Sequence, residues 1–143
     1  AEQRRFQERI LQPDLRREAA AAAGSPASWV CHHGFVSGET KRALFTAADG
    51  FCLPTFYEAE GVPLVLIEAM AYGLPVVTTR WRSLPDLFPP AYPGLVAPHA
   101  PGEVAGVIER WVRGAPGPPL RPWYAAHYTA TQCLDRLRRV LAE

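Results

Sequence analysis

The chain has 143 residues, 48% of them apolar and 20% charged, with a net charge of +1. That is the composition of one soluble globular domain, not of a disordered chain, and its near-neutral balance gives no electrostatic ground for nucleic acid or an anionic membrane as the main partner. Cys31, Cys52 and Cys133 form no C-x-x-C pair, which speaks against a disulfide framework or a zinc site and fits a reducing compartment.

No apolar run approaches the length of a membrane span, and nothing near Ala1 reads as a signal peptide. The expected location is the cytoplasm, with peripheral membrane contact left open for a longer protein. The positive charge is almost all Arg, and Lys41 is the one lysine. An Arg bias of this kind reflects base composition of the genome more readily than phosphate binding.

In chain order, residues 2–11 carry Phe6 and Ile10 on a charged background and read as a short amphipathic helix. Pro13 ends it, and Leu15 to Gly24 reads as a second helix with Gly24 as its stop. Ala27 to Gly34 (ASWVCHHG) is β-prone. A helix follows, with Ser37 as N-cap, Glu39 in the first turn and Ala43, Leu44 and Ala47 on its apolar face. Phe51 to Tyr57 (FCLPTFY) reads as a buried strand leading into the polar loop EAEG.

The next helix, in VPLVLIEAMAYGLPVV (Val62 to Val77), is apolar nearly all round except for Glu68, and Gly73 to Thr79 is a further strand. A helix apolar on every face is normally buried, where a carboxylate needs a partner. Leu87 to Gly94 is a proline-rich loop, Gly94 to Pro98 a short strand and Pro101 to Gly114 an amphipathic helix. Residues 115–122 (APGPPLRP) read as a stiff connector before a final helix, Trp123 to Glu143, broken near Thr129 to Thr131. Strands alternating with helices predict an α/β fold: a Rossmann-like parallel sheet with helices on both faces.

In such sheets ligands bind beyond the carboxyl ends of the strands, here at residues 33–37, 54–63 and 78–86. The second loop carries the most chemistry. Glu58 and Glu60 stand just before a helix whose first turn holds Pro63, so the N–H groups of Gly61, Val62, Leu64 and Val65 lack helical partners and offer an anion site. Gly61 permits close approach to the backbone. Glu68 falls about 12 Å from Glu60 if the intervening residues are helical, and closer if the first few are not. Carboxylates accept hydrogen bonds from hydroxyls and repel phosphate oxygens. Two of them flanking an anion site suit ribose, diphosphate and hexose, a nucleotide sugar.

The stretch PTFYEAEGVPLVLIEAMAYGLPVVTT resembles the donor-binding signature of the retaining glycosyltransferases of family 4, which have the GT-B architecture. Their hallmark, two Glu separated by seven residues, is met by Glu60 and Glu68, and EAMAYGLPVV matches the continuation. GFVSGETKRALFTAADGFCLPT resembles the segment that precedes the signature, so the similarity runs from about Val30 to Val112.

The resemblance implies that Glu60, the catalytic candidate, contacts hydroxyls of the transferred sugar and Glu68 the ribose. Backbone N–H groups around Gly61, Val62 and Leu64 would hold the diphosphate. Gly34, Phe35 and Val36 would meet the nucleobase, with Lys41 near them. It implies a nucleoside diphosphate sugar as donor, an unspecified acceptor (sugar, lipid or other small molecule), no cofactor and no essential metal.

Two departures stand out. The basic Arg and Lys pair usual on the first crossover is missing, as is the whole acceptor domain that precedes it. The expectation is therefore a donor-binding domain over residues 1–143, lacking its first crossover and inactive alone. After Thr79 the usual Gly-rich turn is replaced by RWRSLPD, where Arg80 and Arg82 read as surface residues beside a packed Trp81. A non-catalytic nucleotide-sugar-binding module, or another GT-B enzyme such as an epimerase or phosphorylase, are the alternatives. His32 and His33 read as structural or loop-lining, and His127 and Cys133 as packing residues.

Overall fold

The structure, a computed structural model, describes residues 32–115 and 117–142. It divides into a first unit, described from His32 to Ser37, and a second from Gly38 onward. The expected helices at 2–11 and 15–24, residues 27–31 of the expected strand, Cys31 and Trp29 lie outside the described residues. The rest of that strand, His32 to Gly34, has no regular structure, and both histidines are exposed.

The second unit runs α1 (Gly38–Ala47), β1 (Phe51–Leu53), α2 (Leu64–Ala71), β2 (Val76–Thr79), a 3-10 turn (Leu84–Leu87), β3 (Leu95–Val96), α3 (Pro101–Val112), α4 (Leu120–His127) and α5 (Ala130–Leu141). The strands form a parallel sheet in the order β1-β2-β3, with Phe51 opposite Val76 and Thr78 opposite Leu95. Every residue of β2 is buried, as expected of a parallel strand covered on both faces.

Alternation along β2 divides the core. Val76 packs in a cluster with Leu66, Ala69 and Met70 of α2 and Leu120 of α4, while Val77 packs with Val96 and Val107 of α3. Helices therefore cover both faces, as the sequence predicts. None of the helices among the described residues is long and apolar enough to cross a membrane.

Several local expectations are corrected. On α1 the buried residue is Phe45, with Lys41, Leu44 and Ala48 partly buried, and Ala43 and Ala47 face solvent. Phe45 stacks on Phe51 of β1 and on Tyr72 at the end of α2, at 5.7 and 5.1 Å between ring centroids. β1 is shorter than FCLPTFY and lies at the edge of the described sheet, with Cys52 exposed.

α2 is not buried all round. Leu66, Ala69 and Met70 are fully buried, but Leu64 is 72% exposed and Glu68 lies one turn further along that side. α2 ends at Gly73 (φ 77°), whose N–H bonds to Met70 while that of Leu74 bonds to Ala69, so the helix closes through a left-handed glycine.

α4 begins inside the stretch read as a connector, with Pro119 at its N-cap. The break between α4 and α5 falls where expected, because the Thr129 hydroxyl accepts from the Gln132 N–H and starts a new helix. Leu87 O accepts from both Trp123 Nε1 and Tyr128 Oη, each at 2.9 Å, which ties that junction to the 3-10 turn. His127 stacks on Trp123 at 3.8 Å, whereas Cys133 is exposed rather than packed.

The proline-rich loop returns to the sheet through two contacts. Tyr92 is buried and its hydroxyl accepts the Val76 N–H at 2.9 Å. Beside it, Gly94 lies so close to Val76 O that any Cβ would overlap it.

Candidate functional site

β1 stops at Leu53, and residues 54–63 cross the carboxyl end of the sheet to α2. Their path is set from beneath by β2. The Thr78 hydroxyl donates to Leu53 O at 2.7 Å and the Thr79 hydroxyl donates to Thr55 O, so two buried side chains hold the end of β1 and the start of the loop. Trp81 Nε1 donates to Tyr57 O at 2.8 Å, and the Glu60 N–H donates to that same oxygen. His99, in the left-handed region (φ 58°), packs its ring 4.1 Å from that of Phe56.

This framework places Glu60 at the far end of a closed turn. Its carboxylate Oε2 accepts the Thr55 hydroxyl at 2.8 Å, and Thr55 Oγ1 accepts the Tyr57 N–H at 3.2 Å. Glu58, two residues earlier, is exposed.

Pro63, with φ −66° and ψ 107°, occupies the N-cap of α2 rather than its first turn, and no side chain caps the helix. The Leu66 N–H bonds to Pro63 O. The N–H groups of Gly61, Val62, Leu64 and Val65 have no hydrogen-bond partner among the described residues. They form a run of donors with the positive end of the helix dipole behind them. Gly61 has no protein atom within 4 Å of where a Cβ would stand, so the space beside it is open.

Glu68 is held from α1. Lys41 Nζ lies 2.7 Å from Oε1 and 2.6 Å from Oε2, with the two side chains 35% and 41% exposed. Glu68 is therefore not a carboxylate sunk whole in the core: its side chain is partly exposed while its Oε2 is enclosed, and its cationic partner comes from the helix before β1. Lys41 also sits 5.9 Å from the centroid of the Phe45 ring.

Glu60, Gly61, Val62, Leu64, Glu68 and Lys41 all belong to the second unit. Val62 and Leu64 are exposed apolar side chains flanking the free N–H groups. Gly34, Phe35 and Val36 lie in the first unit: Gly34 has φ 65°, Phe35 is exposed and Val36 is partly buried. Arg80 and Arg82 are exposed, and Arg80 stands 4.0 Å from Glu103, whose carboxylate also accepts the Ala97 N–H.

Five residues that support the loop escaped the sequence reading: Thr55, Thr78, Thr79, Trp81 as a hydrogen-bond donor, and His99. Only the paired threonines closing an apolar strand hinted at them. Chemically, the site offers two carboxylates that accept hydrogen bonds from hydroxyls, and backbone N–H groups that donate to an anion.

In a parallel sheet of this kind, ligands bind in loops at the carboxyl ends of the strands, where this loop lies. The chain matches the family described as glycosyl transferases group 1 over residues 8–113, and it belongs to that family. It is 40% identical over 74 residues to O-antigen chain mannosyltransferase B of Escherichia coli, covering 52% of this chain and 18% of that protein. It is 34% identical over 99 residues to the amylovoran biosynthesis glycosyltransferase AmsK of Erwinia amylovora, covering 66% of this chain and 24% of that protein. With the MMP alpha-(1->4)-mannosyltransferase of Mycolicibacterium hassiacum it shares 36% identity over 77 residues, 52% of this chain and 18% of that protein. The chain thus spans less than a quarter of the length of these relatives.

Proposed function

We propose that this chain is the donor-binding part of a retaining glycosyltransferase that moves a hexose from a nucleoside diphosphate sugar to an acceptor. The observation that carries the reading is the placement of two separately held carboxylates, Glu60 on Thr55 and Glu68 on Lys41, around four unpartnered N–H groups. Glu68 takes the ribose hydroxyls, the N–H groups of Gly61, Val62, Leu64 and Val65 take the diphosphate, and Glu60 takes hydroxyls of the hexose.

Catalysis in this scheme is positioning and charge stabilisation. The backbone donors and the helix dipole meet the negative charge that grows on the diphosphate as the glycosidic bond breaks. Glu60, with one oxygen already occupied, orients the sugar. No cofactor is required by this division of labour. The acceptor belongs to a further domain of the full-length protein, and the proposed setting is the cytoplasm. The mannosyltransferases among the relatives make a mannosyl donor the first to try.

Thermal unfolding of the full-length protein with GDP, UDP and ADP tests the reading. A ligand at 100 times its Kd stabilises the folded form by about 2.7 kcal/mol. One of the three should raise the melting temperature by several degrees, and Glu68→Gln should diminish that rise. No rise with any of them sinks the proposal.

A further inference from the structure

Thr55 is assigned no role by the motif that names Glu60 and Glu68, yet every polar group it carries is engaged. Its N–H donates to Leu53 O at 2.9 Å and its carbonyl accepts the hydroxyl of Thr79, which is 1% exposed. Its own hydroxyl accepts the Tyr57 N–H and donates to Glu60 Oε2 at 2.8 Å. Thr55 thus links the buried strand β2 to one oxygen of the Glu60 carboxylate, its carbonyl bonded on one side and its hydroxyl on the other. The other oxygen, Oε1, takes no hydrogen bond from any described residue.

A hydroxyl has one proton. The Tyr57 N–H takes one of its lone pairs, and the proton goes to Glu60, whose carboxylate can only accept, so the carboxylate is held at Oε2 and Oε1 is left without a partner among the described residues. We propose that Thr55 is the positioning residue of Glu60: it selects the carboxylate edge offered to the sugar hydroxyls and thereby governs recognition of the transferred sugar rather than of the nucleotide. This rests on the donor-site reading given above.

The test separates sugar from nucleotide. In the full-length protein, binding of GDP-mannose, UDP-glucose, GDP and UDP is measured together with the rate of nucleoside diphosphate release, for wild type, Thr55→Val, Thr55→Ser and Glu60→Gln. Thr55→Val should weaken binding of the sugar nucleotide and slow release by about tenfold, the size of one hydrogen bond to a charged group, while the free diphosphate binds as before. Thr55→Ser, which keeps the hydroxyl, should restore both.

Wild-type behaviour of Thr55→Val beside an impaired Glu60→Gln would overturn the role of Thr55 alone. Equal losses in the serine and valine variants would overturn it too, since the effect would then not follow the hydroxyl, which serine keeps and valine lacks. If Glu60→Gln behaves as wild type, the donor-site reading fails first and this assignment with it.

Discussion

Lys41 and Glu68 are 27 positions apart and meet at 2.6 Å, and one turn further along both helices Phe45 stacks on Tyr72. α1 is therefore joined to the end of α2 by an ion pair and a ring pair at matching four-residue spacings. Of these four side chains only Phe45 is buried in the core; Tyr72, Lys41 and Glu68 are each more than a third exposed.

The ion pair contributes little to folding. Both side chains are more than a third exposed, and solvent screening holds such pairs to about 1 kcal/mol or less. Lys41→Met should shift the urea unfolding midpoint only slightly. A loss of several kcal/mol would show that the pair is structural and weaken the case for Glu68 as a ligand group.

Activity should depend on both carboxylates. In the full-length enzyme, Glu60→Gln and Glu68→Gln should each lower the transfer rate by about tenfold or more with the fold intact by circular dichroism. Wild-type rates in both variants would refute the assignment of the site.

Gly61→Ala separates fold from ligand. No protein atom lies within 4 Å of the added methyl and the residue is not in the left-handed region, so stability should change by about 0.5 kcal/mol at most. Nucleoside diphosphate affinity, read by calorimetry, should fall, because the methyl projects into the space a diphosphate would fill. Unchanged affinity would remove Gly61 from the anion site.

Gly94→Ala is expected to behave oppositely. Its methyl would overlap Val76 O and press on the Tyr92 ring, which calls for backbone displacement at the centre of the sheet. A loss of about 3 kcal/mol or failure to fold is expected from overpacking of this kind. Tyr92→Phe removes the acceptor of the Val76 N–H and should cost about 1–3 kcal/mol, both read from denaturant unfolding.

Tyr92 also sets an alkaline limit. Burial pushes its phenol above the ordinary 10.0, opposed by the Val76 N–H bond, and burial likewise raises Tyr128. The folded form thus keeps these protons to higher pH than the unfolded chain does. Stability is fully present below about pH 10 and declines as pH rises from there through the folded-state values. Tyr92→Phe should flatten part of that decline, and an identical slope in the variant would show that Tyr92 plays no part in it.

The architecture was readable, and with it the loop and helix that carry the two glutamates, because these rest on local rules. Apolar runs of strand length, Gly73 after α2 and Thr129 before α5 each act within a few residues of themselves. The errors came where long-range packing decides. Helical spacing allows several faces for α1, and only the rings of Phe51 and Tyr72 select Phe45. The Lys41–Glu68 pair and the Thr79–Thr55–Glu60 relay join segments more than 20 residues apart, so no spacing rule could announce them. α4 starts amid prolines because Pro119 and Pro122 fall at its cap and first turn, where no helical N–H is required.

The relay through Thr79 has an entropic consequence. Ordering a loop upon ligand arrival costs freedom that must be subtracted from affinity. Here residues 55–60 are already fastened to the most deeply buried strand of the sheet, so their order is maintained by the fold itself. A molecule docking at Glu60 would meet a surface fixed beforehand, and association should proceed as a single step, with no slow phase from loop closure.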